Sequence, residues 1–145
     1  MNFLTVNEKD LCENIFTPLN VVFTLVRGDK GYMLVQNRES DYWELPAGRV
    51  EPEETFRECT IRRCKESSGQ DAVNIEFVGL CKIVFENRNK SEYFAIFAAE
   101  LEAELPYKSN DETKGMRWHK PGEELNPVCN TCMNIIGHYE KLRLR

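Results

Sequence analysis

The sequence lacks the features that mark membrane, secreted and nucleic-acid-coating chains. Its longest uninterrupted apolar run, Phe94 to Ala99, falls far short of the ~20 residues a bilayer span requires, so no membrane partner is expected. Met1 to Asp10 has no basic-then-apolar layout, so no secretory leader is expected and the location reads as cytoplasmic. There is no basic stripe: 19 Lys and Arg alternate with 24 Asp and Glu, for a net charge of −5. That argues against a binder of long nucleic acid, which needs clustered cations. It leaves open a small phosphorylated ligand, which needs only one or two local charges. The low hydrophobicity of disordered chains is missing too, with 41% apolar and 10% aromatic residues. Six cysteines without a leader read as reduced thiols packed as small hydrophobes.

What is present is one ordinary domain. A chain of 145 residues buries roughly 70% of its unfolded surface, enough to fold without a staple. Residues 1–145 are read as a single domain, with 1–17 an N-terminal arm or an edge strand. Asn20 to Arg27 is β-branched and aromatic, and Gly28-Asp29-Lys30-Gly31 is turn chemistry. Tyr32 to Gln36 then returns as the second strand of a hairpin. Tyr42 to Leu45 is a short strand closed by Pro46. Pro52 among Glu51, Glu53 and Glu54 signals a helix start, Phe56, Cys59, Thr60 and Cys64 form an apolar stripe, and Gly69 stops it. Val73 to Glu86 and Glu92 to Glu102 read as strands around an exposed hairpin loop, and a short strand surrounds Met116 to Trp118. A last amphipathic helix runs from Pro127 to about Leu142. The order of elements predicts a mixed sheet with helices packed on it, α/β or α+β.

Gly48 to Gly69 carries the chemistry. A glycine loop leads from a strand into an acid-rich helix. Carboxylates one helical turn apart can converge on a divalent cation that bridges phosphate oxygens. This segment resembles the box of the Nudix (MutT-like) hydrolases, G-x5-E-x7-R-E-U-x-E-E-x-G-U with U aliphatic. Gly48, Glu54, Arg62, Glu66 and Gly69 fall in step, and Trp43 to Glu51 is similar to the strand and loop that precede the box. The resemblance implies a mixed β-sheet sandwiched between α-helices and a pyrophosphohydrolase that cleaves a nucleoside diphosphate linked to another moiety. It implies Mg²⁺ or Mn²⁺, a water nucleophile, a small nucleotide-type substrate and a possible homodimer. It implies roles for single residues as well. Glu66 and the Ala47 carbonyl would hold metal, Arg62 would position the box carboxylates, and Glu54 would be an auxiliary acid. Glu112, six residues before Trp118, matches the additional acid that many members carry in that loop, as ligand or auxiliary acid.

Four positions depart from the pattern. Arg63 and Ser67 stand where the family has Glu, and Cys64 and Gln70 take aliphatic places. Gly48 to Ser67 therefore carries five acids (Glu51, Glu53, Glu54, Glu58, Glu66) against five bases (Arg49, Arg57, Arg62, Arg63, Lys65). Glu at 63 and 67 would make it seven against four, so the local charge has moved from −3 to zero. Weaker metal binding is expected, with Arg63 either ion-paired to Glu66 or contacting substrate phosphate as an arginine fork. The alternative function is a Nudix-fold module that binds a nucleotide or metabolite without turnover. Arg62 also stands four residues after Glu58, at surface ion-pair spacing, and Arg27, Arg38 and Tyr93 are candidate lining residues. Cys129-Asn-Thr-Cys132 is half a zinc site or a redox pair, which His119 or His138 would have to complete, and two packed helix thiols is the plainer reading.

Overall fold

The computed structural model describes residues 1–144. Strands β1 (Asn2–Leu4), β2 (Leu19–Gly28), β3 (Gly31–Asn37), β4 (Trp43–Glu44) and β5 (Ala47–Arg49) precede helix α1 (Phe56–Ser68). Strands β6 (Ala72–Phe85), β7 (Lys90–Leu101) and β8 (Thr113–His119) lead to helix α2 (Asn130–Arg143). The main path of the sheet is β1-β6-β7-β2-β3-β4, with β5 paired to β2 and β8 to β3. β2 and β7 run parallel and the other pairs antiparallel, so the sheet is mixed.

Alternation along the central strands assigns each helix its face. Val22 and Val26 of β2 and Phe97 and Ala99 of β7 pack in the clusters that hold Cys59 and Cys64 of α1. Leu25, Leu34, Ile96 and Ala98 pack with Cys132, Ile135, Ile136 and Tyr139 of α2. Leu25, Leu34 and Phe97 are fully buried, each worth about 1.5–3 kcal/mol of apolar burial. The two helices therefore sandwich the sheet, and no helix is long and apolar enough to cross a membrane.

Local chemistry sets the helix ends and moves two of them from the sequence expectation. Pro52 and its acids form a turn, with the Glu54 N–H donating to the Glu51 carbonyl at 3.0 Å, and α1 starts four residues later. Thr55 is its N-cap: the Thr55 hydroxyl accepts from the Glu58 N–H at 3.0 Å, and the Glu58 carboxylate accepts from the Thr55 N–H at 2.8 Å. This reciprocal box outranks the proline signal because it satisfies two orphan donors at once. Glu58 is thereby occupied, and Arg62 pairs elsewhere. Gly69 closes α1 at φ 76°, in the left-handed region, as expected of a glycine stop. α2 begins at Asn130, not Pro127, because the Cys129 side chain caps it. The loop between β6 and β7 is shorter than expected, a single turn at Glu86–Arg88. The strand around Met116 is longer, since β3 recruits residues from Thr113 onward into its ladder.

β5 was not anticipated from the sequence, and it creates the site. Along one edge of β2, β3 pairs only at Arg27 and Gly28, whereas β5 pairs at Val21 to Phe23. Between the two contacts β3 and β5 diverge, leaving an opening in the sheet.

Candidate active site

The opening holds a cavity of about 430 Å³ lined by residues that include Phe23, Glu44, Ala47, Arg63, Glu112 and Cys129. Its lining is largely apolar, and its charged residues come from three elements: Glu44 of β4, Arg63 from the middle of α1 and Glu112 of the loop before β8.

Arg62 and Arg63, adjacent on α1, divide the box between them. The Arg62 Nε donates to Glu54 Oε2 at 2.6 Å and its Nη2 to Glu54 Oε1 at 3.0 Å, a bidentate pair. The remaining donors reach the Arg49 carbonyl at 2.8 Å and Glu66 Oε1 at 2.7 Å. Its hydrogen bonds with Arg62 hold the Glu54 carboxyl at about 2, well below the usual carboxylate range. The surface pair of Arg62 with Glu58 suggested by spacing is not formed.

Arg63 turns the other way, into the cavity. Its Nε donates to the Ala47 carbonyl at 2.9 Å, Nη1 to Glu66 Oε1 at 2.8 Å and Nη2 to Glu112 Oε2. Its side chain is only 16% exposed and lies directly over Gly48, where a Cβ would stand 2.1 Å from Nε. Glu66 thus carries two guanidinium groups on one oxygen, and it is not among the residues lining the cavity.

Glu112 is presented by a loop braced from two sides. Asn110 Oδ1 accepts from the Glu112 and Thr113 N–H groups at 2.8 and 2.9 Å, an Asx turn. The Thr113 hydroxyl donates to the Ser67 carbonyl at 2.7 Å, tying this loop to the end of α1. Ser67 is 1% exposed and its hydroxyl donates back to the Arg63 carbonyl at 2.8 Å. Where the box resemblance expects a carboxylate, position 67 thus carries a buried hydroxyl bonded within α1, and its backbone carbonyl ties helix to loop. Arg38 serves the same loop, donating to the Asn110 carbonyl at 2.9 Å. Arg38, Arg27 and Tyr93 do not line this cavity. Arg27 lines a separate depression with Trp118, and Tyr93 packs edge-on to Phe16.

Glu44 escaped the sequence reading. It lies on β4 facing the cavity, accepts from Asn37 Nδ2 at 3.2 Å, and is held above the usual carboxylate range by burial and by neighbouring Glu112. The available signal was a carboxylate flanked by Trp43 and Leu45 in a strand ending beside the glycine loop. Cys129 also reaches this cavity. Its sulfur accepts the Cys132 N–H at 3.2 Å, while Cys132 is fully buried and accepts the Leu45 N–H at 3.3 Å. His119 sits at the end of β8 near Glu123, and His138 stacks on Phe3 at 3.9 Å. Among the described residues no three His, Cys, Asp or Glu side chains are grouped to hold a metal.

The box resemblance implies a divalent metal. A divalent ion needs bare oxygens at about 2.0–2.6 Å. Ala47 O, Glu66 Oε1 and Glu112 Oε2 each already accept an N–H of the Arg63 guanidinium. With Arg63 in this position the three donors do not fit such an ion.

Comparison with known proteins agrees with this architecture. A putative 8-oxo-dGTP diphosphatase of Bacillus subtilis (strain 168) is 27% identical over 90 residues, 62% of this chain and 58% of that protein. A second from the same organism, the putative 8-oxo-dGTP diphosphatase YtkD, is 30% identical over 108 residues, 72% of this chain and 65% of its own length. The matched part therefore spans less than two thirds of either relative. The crystal structure of a MutT NUDIX hydrolase from Burkholderia pseudomallei superposes with a TM-score of 0.70 at 14% identity, over 82% of this chain and 96% of that one. The NUDIX domain model matches residues 17–130, and the chain belongs to the NUDIX domain family.

Proposed function

We propose that the protein is a Nudix-type pyrophosphohydrolase that cleaves a nucleoside diphosphate linked to another moiety. The observation that carries this reading is the cavity beside the glycine loop, where one guanidinium and two carboxylates, Arg63, Glu44 and Glu112, meet on an otherwise largely apolar lining. The names of the two Bacillus relatives make nucleoside triphosphates the first substrates to test.

In this reading a water oxygen bonds to one phosphorus as the bridging P–O bond breaks, and the phosphate leaving group departs. Glu44 takes the proton of the attacking water on its carboxylate. A base with a raised pKa in a half-buried pocket suits that task at neutral pH. Arg63 faces the phosphoryl oxygens where negative charge accumulates. Arg62 acts indirectly, holding Glu54, Glu66 and the Arg49 carbonyl so that loop and helix keep their spacing. Glu112 and Glu66 orient Arg63. No step is assigned to Mg²⁺ or Mn²⁺, because the donor set does not fit them with Arg63 in place.

A second reading, a binding module without turnover, is favoured by the engagement of Glu66 and Glu112 with Arg63, which occupies carboxylates that turnover elsewhere in the family would use. Product release separates the two. The test is a panel of nucleoside triphosphates, ADP-ribose, dinucleoside polyphosphates and nucleotide sugars, run with Mg²⁺, with Mn²⁺ and with chelator, beside Glu44→Gln and Glu66→Ala. Turnover that Glu44→Gln lowers by about 10²-fold or more supports the hydrolase. Folded protein that releases no product from any compound overturns it in favour of the binding module.

A further inference from the structure

We propose that the Arg63 guanidinium is the resident cation of this site, standing where a divalent ion would otherwise be held and gripping phosphoryl oxygens directly. The inference rests on the site location given above and does not depend on turnover.

Four observations converge on it. First, the three N–H contacts of Arg63 go to the Ala47 carbonyl, Glu66 and Glu112, the same oxygens that the box resemblance nominates for metal. One planar cation satisfies all three, and it does so from within the chain.

Second, the loop is shaped to receive the arm. The Cβ position of Gly48 lies 2.1, 2.3 and 2.7 Å from Nε, Cδ and Cγ of Arg63. Any side chain at 48 would collide with the stem as well as the head of the arginine. The clearance that a glycine gives is filled by Arg63.

Third, position 67 has been taken out of the charge balance. Glu there would add a carboxylate one turn above Arg63. Ser67 instead is buried, and its carbonyl accepts from Thr113 and Asn110 at 2.7 and 3.4 Å. The same contacts set the loop that brings Glu112 to Arg63. The replacements at 63 and 67 therefore act in the same direction: one supplies a fixed positive charge, and the other removes a competing negative one, its buried hydroxyl donating to the Arg63 carbonyl at 2.8 Å.

Fourth, the guanidinium is not used up. It has five N–H donors, three of which make the contacts above, leaving one on each terminal nitrogen. Arg63 lines the cavity, so those donors are available to a ligand there. Paired N–H groups in a plane match the spacing of phosphoryl oxygens, which an ammonium does not. The ligand class is a pyrophosphate-containing nucleotide, recognised through charge-assisted hydrogen bonds without a metal bridge.

The test uses the full chain and reads binding, not turnover. Mn²⁺ is titrated into nucleotide-free protein and followed by the electron paramagnetic resonance of the free ion. Inorganic pyrophosphate is titrated separately in chelator by calorimetry. The wild-type protein is expected to show no saturable Mn²⁺ binding below the millimolar range and to bind pyrophosphate in chelator. Arg63→Ala, checked for native circular dichroism, is expected to gain saturable Mn²⁺ binding. It should also bind pyrophosphate at least about tenfold more weakly, the loss expected for one charge-assisted pair. Arg63→Lys is expected to exclude Mn²⁺ as the wild type does but to lose pyrophosphate affinity, because charge remains and the fork does not. Saturable Mn²⁺ binding by the wild type at micromolar concentration overturns the proposal without any variant being made. Pyrophosphate binding that needs metal, or that Arg63→Ala leaves unchanged, overturns it as well. Absence of turnover alone would end the hydrolase reading and leave this one standing, whereas turnover by a wild type that binds Mn²⁺ tightly would do the reverse.

Discussion

Arg63 and Gly48 are steric complements: the arginine stem crosses the glycine so closely that a Cβ would lie 2.3 Å from Cδ. Gly48→Ala must therefore expel the side chain or shift the loop. Overpacking of this kind costs about 1–3 kcal/mol, read as a fall in chemical-denaturation midpoint. In the Arg63→Ala background the same substitution should cost much less. The coupling energy of the double-mutant cycle is expected at about 0.5–3 kcal/mol, the range for residues in contact. A coupling near zero would show that Gly48 is required for some other reason.

Glu54 links the loop before α1 to Arg62. Its folded pKa, about 2, lies below the ordinary carboxylate value, so the pair stabilises the fold fully above the unfolded pKa. That stability is lost as pH falls toward 2. The Glu54 side chain is 12% exposed and Arg62 26%; with screening by nearby solvent the pair is worth about 1–2 kcal/mol at pH 7. Glu54→Gln is expected to lower stability by that amount at pH 7 and to converge on the wild type under strong acid. Urea melts at several pH values check it, and a pH-independent difference would count against this pairing.

Glu44, as the proposed base, has to be ionised to act. Its pKa is raised by burial, so kcat/KM should climb with pH through a value above the usual carboxylate range and then level off. Glu44→Gln should remove that limb and lower kcat/KM by about 10²–10⁴-fold, while leaving pyrophosphate binding largely intact. A variant that keeps the limb would move the base to another residue.

The cysteines are expected to separate by reactivity. Cys129 caps α2, and hydrogen bonds from Cys132 bring its thiol below the ordinary thiol range. Burial raises Cys59, Cys64 and Cys81 to about 11. The thiolate is the reacting form, so iodoacetamide at pH 7.5 should label Cys129 well before these three, with a rate that rises with pH below the ordinary thiol range. Peptide mass spectrometry reads this directly. Cys129→Ser should remove the fast phase, and its persistence would assign it to exposed Cys12.

Much of the box was legible because its signals are local. The Gly48, Glu54, Arg62 spacing, the αL stop at Gly69 and the apolar stripe from Phe56 to Cys64 each depend on neighbours within a few turns. The loss of two carboxylates was equally plain from the charge count. Even local signals competed: Pro52 pointed to a helix start, and the Thr55–Glu58 capping box placed it at Phe56 because satisfied donors decide a helix end.

The sequence alone determined most of the element types, a mixed sheet with helices packed on it and the spacing of the box residues, since these follow from periodicity, capping and spacing along the chain, and the box resemblance added the family and the sandwich arrangement. Tertiary structure alone decided what those residues touch. The Ala47 carbonyl, Glu66 and Glu112 meet only when β5, α1 and the loop before β8 pack together, and Glu44 enters the site only because β3 and β5 part along β2. Arg63 and Glu112 are 49 residues apart in the chain, and no local propensity links them. Which cation stands among those oxygens is settled by the three-dimensional approach of charges, and here the arginine arrives from within the chain.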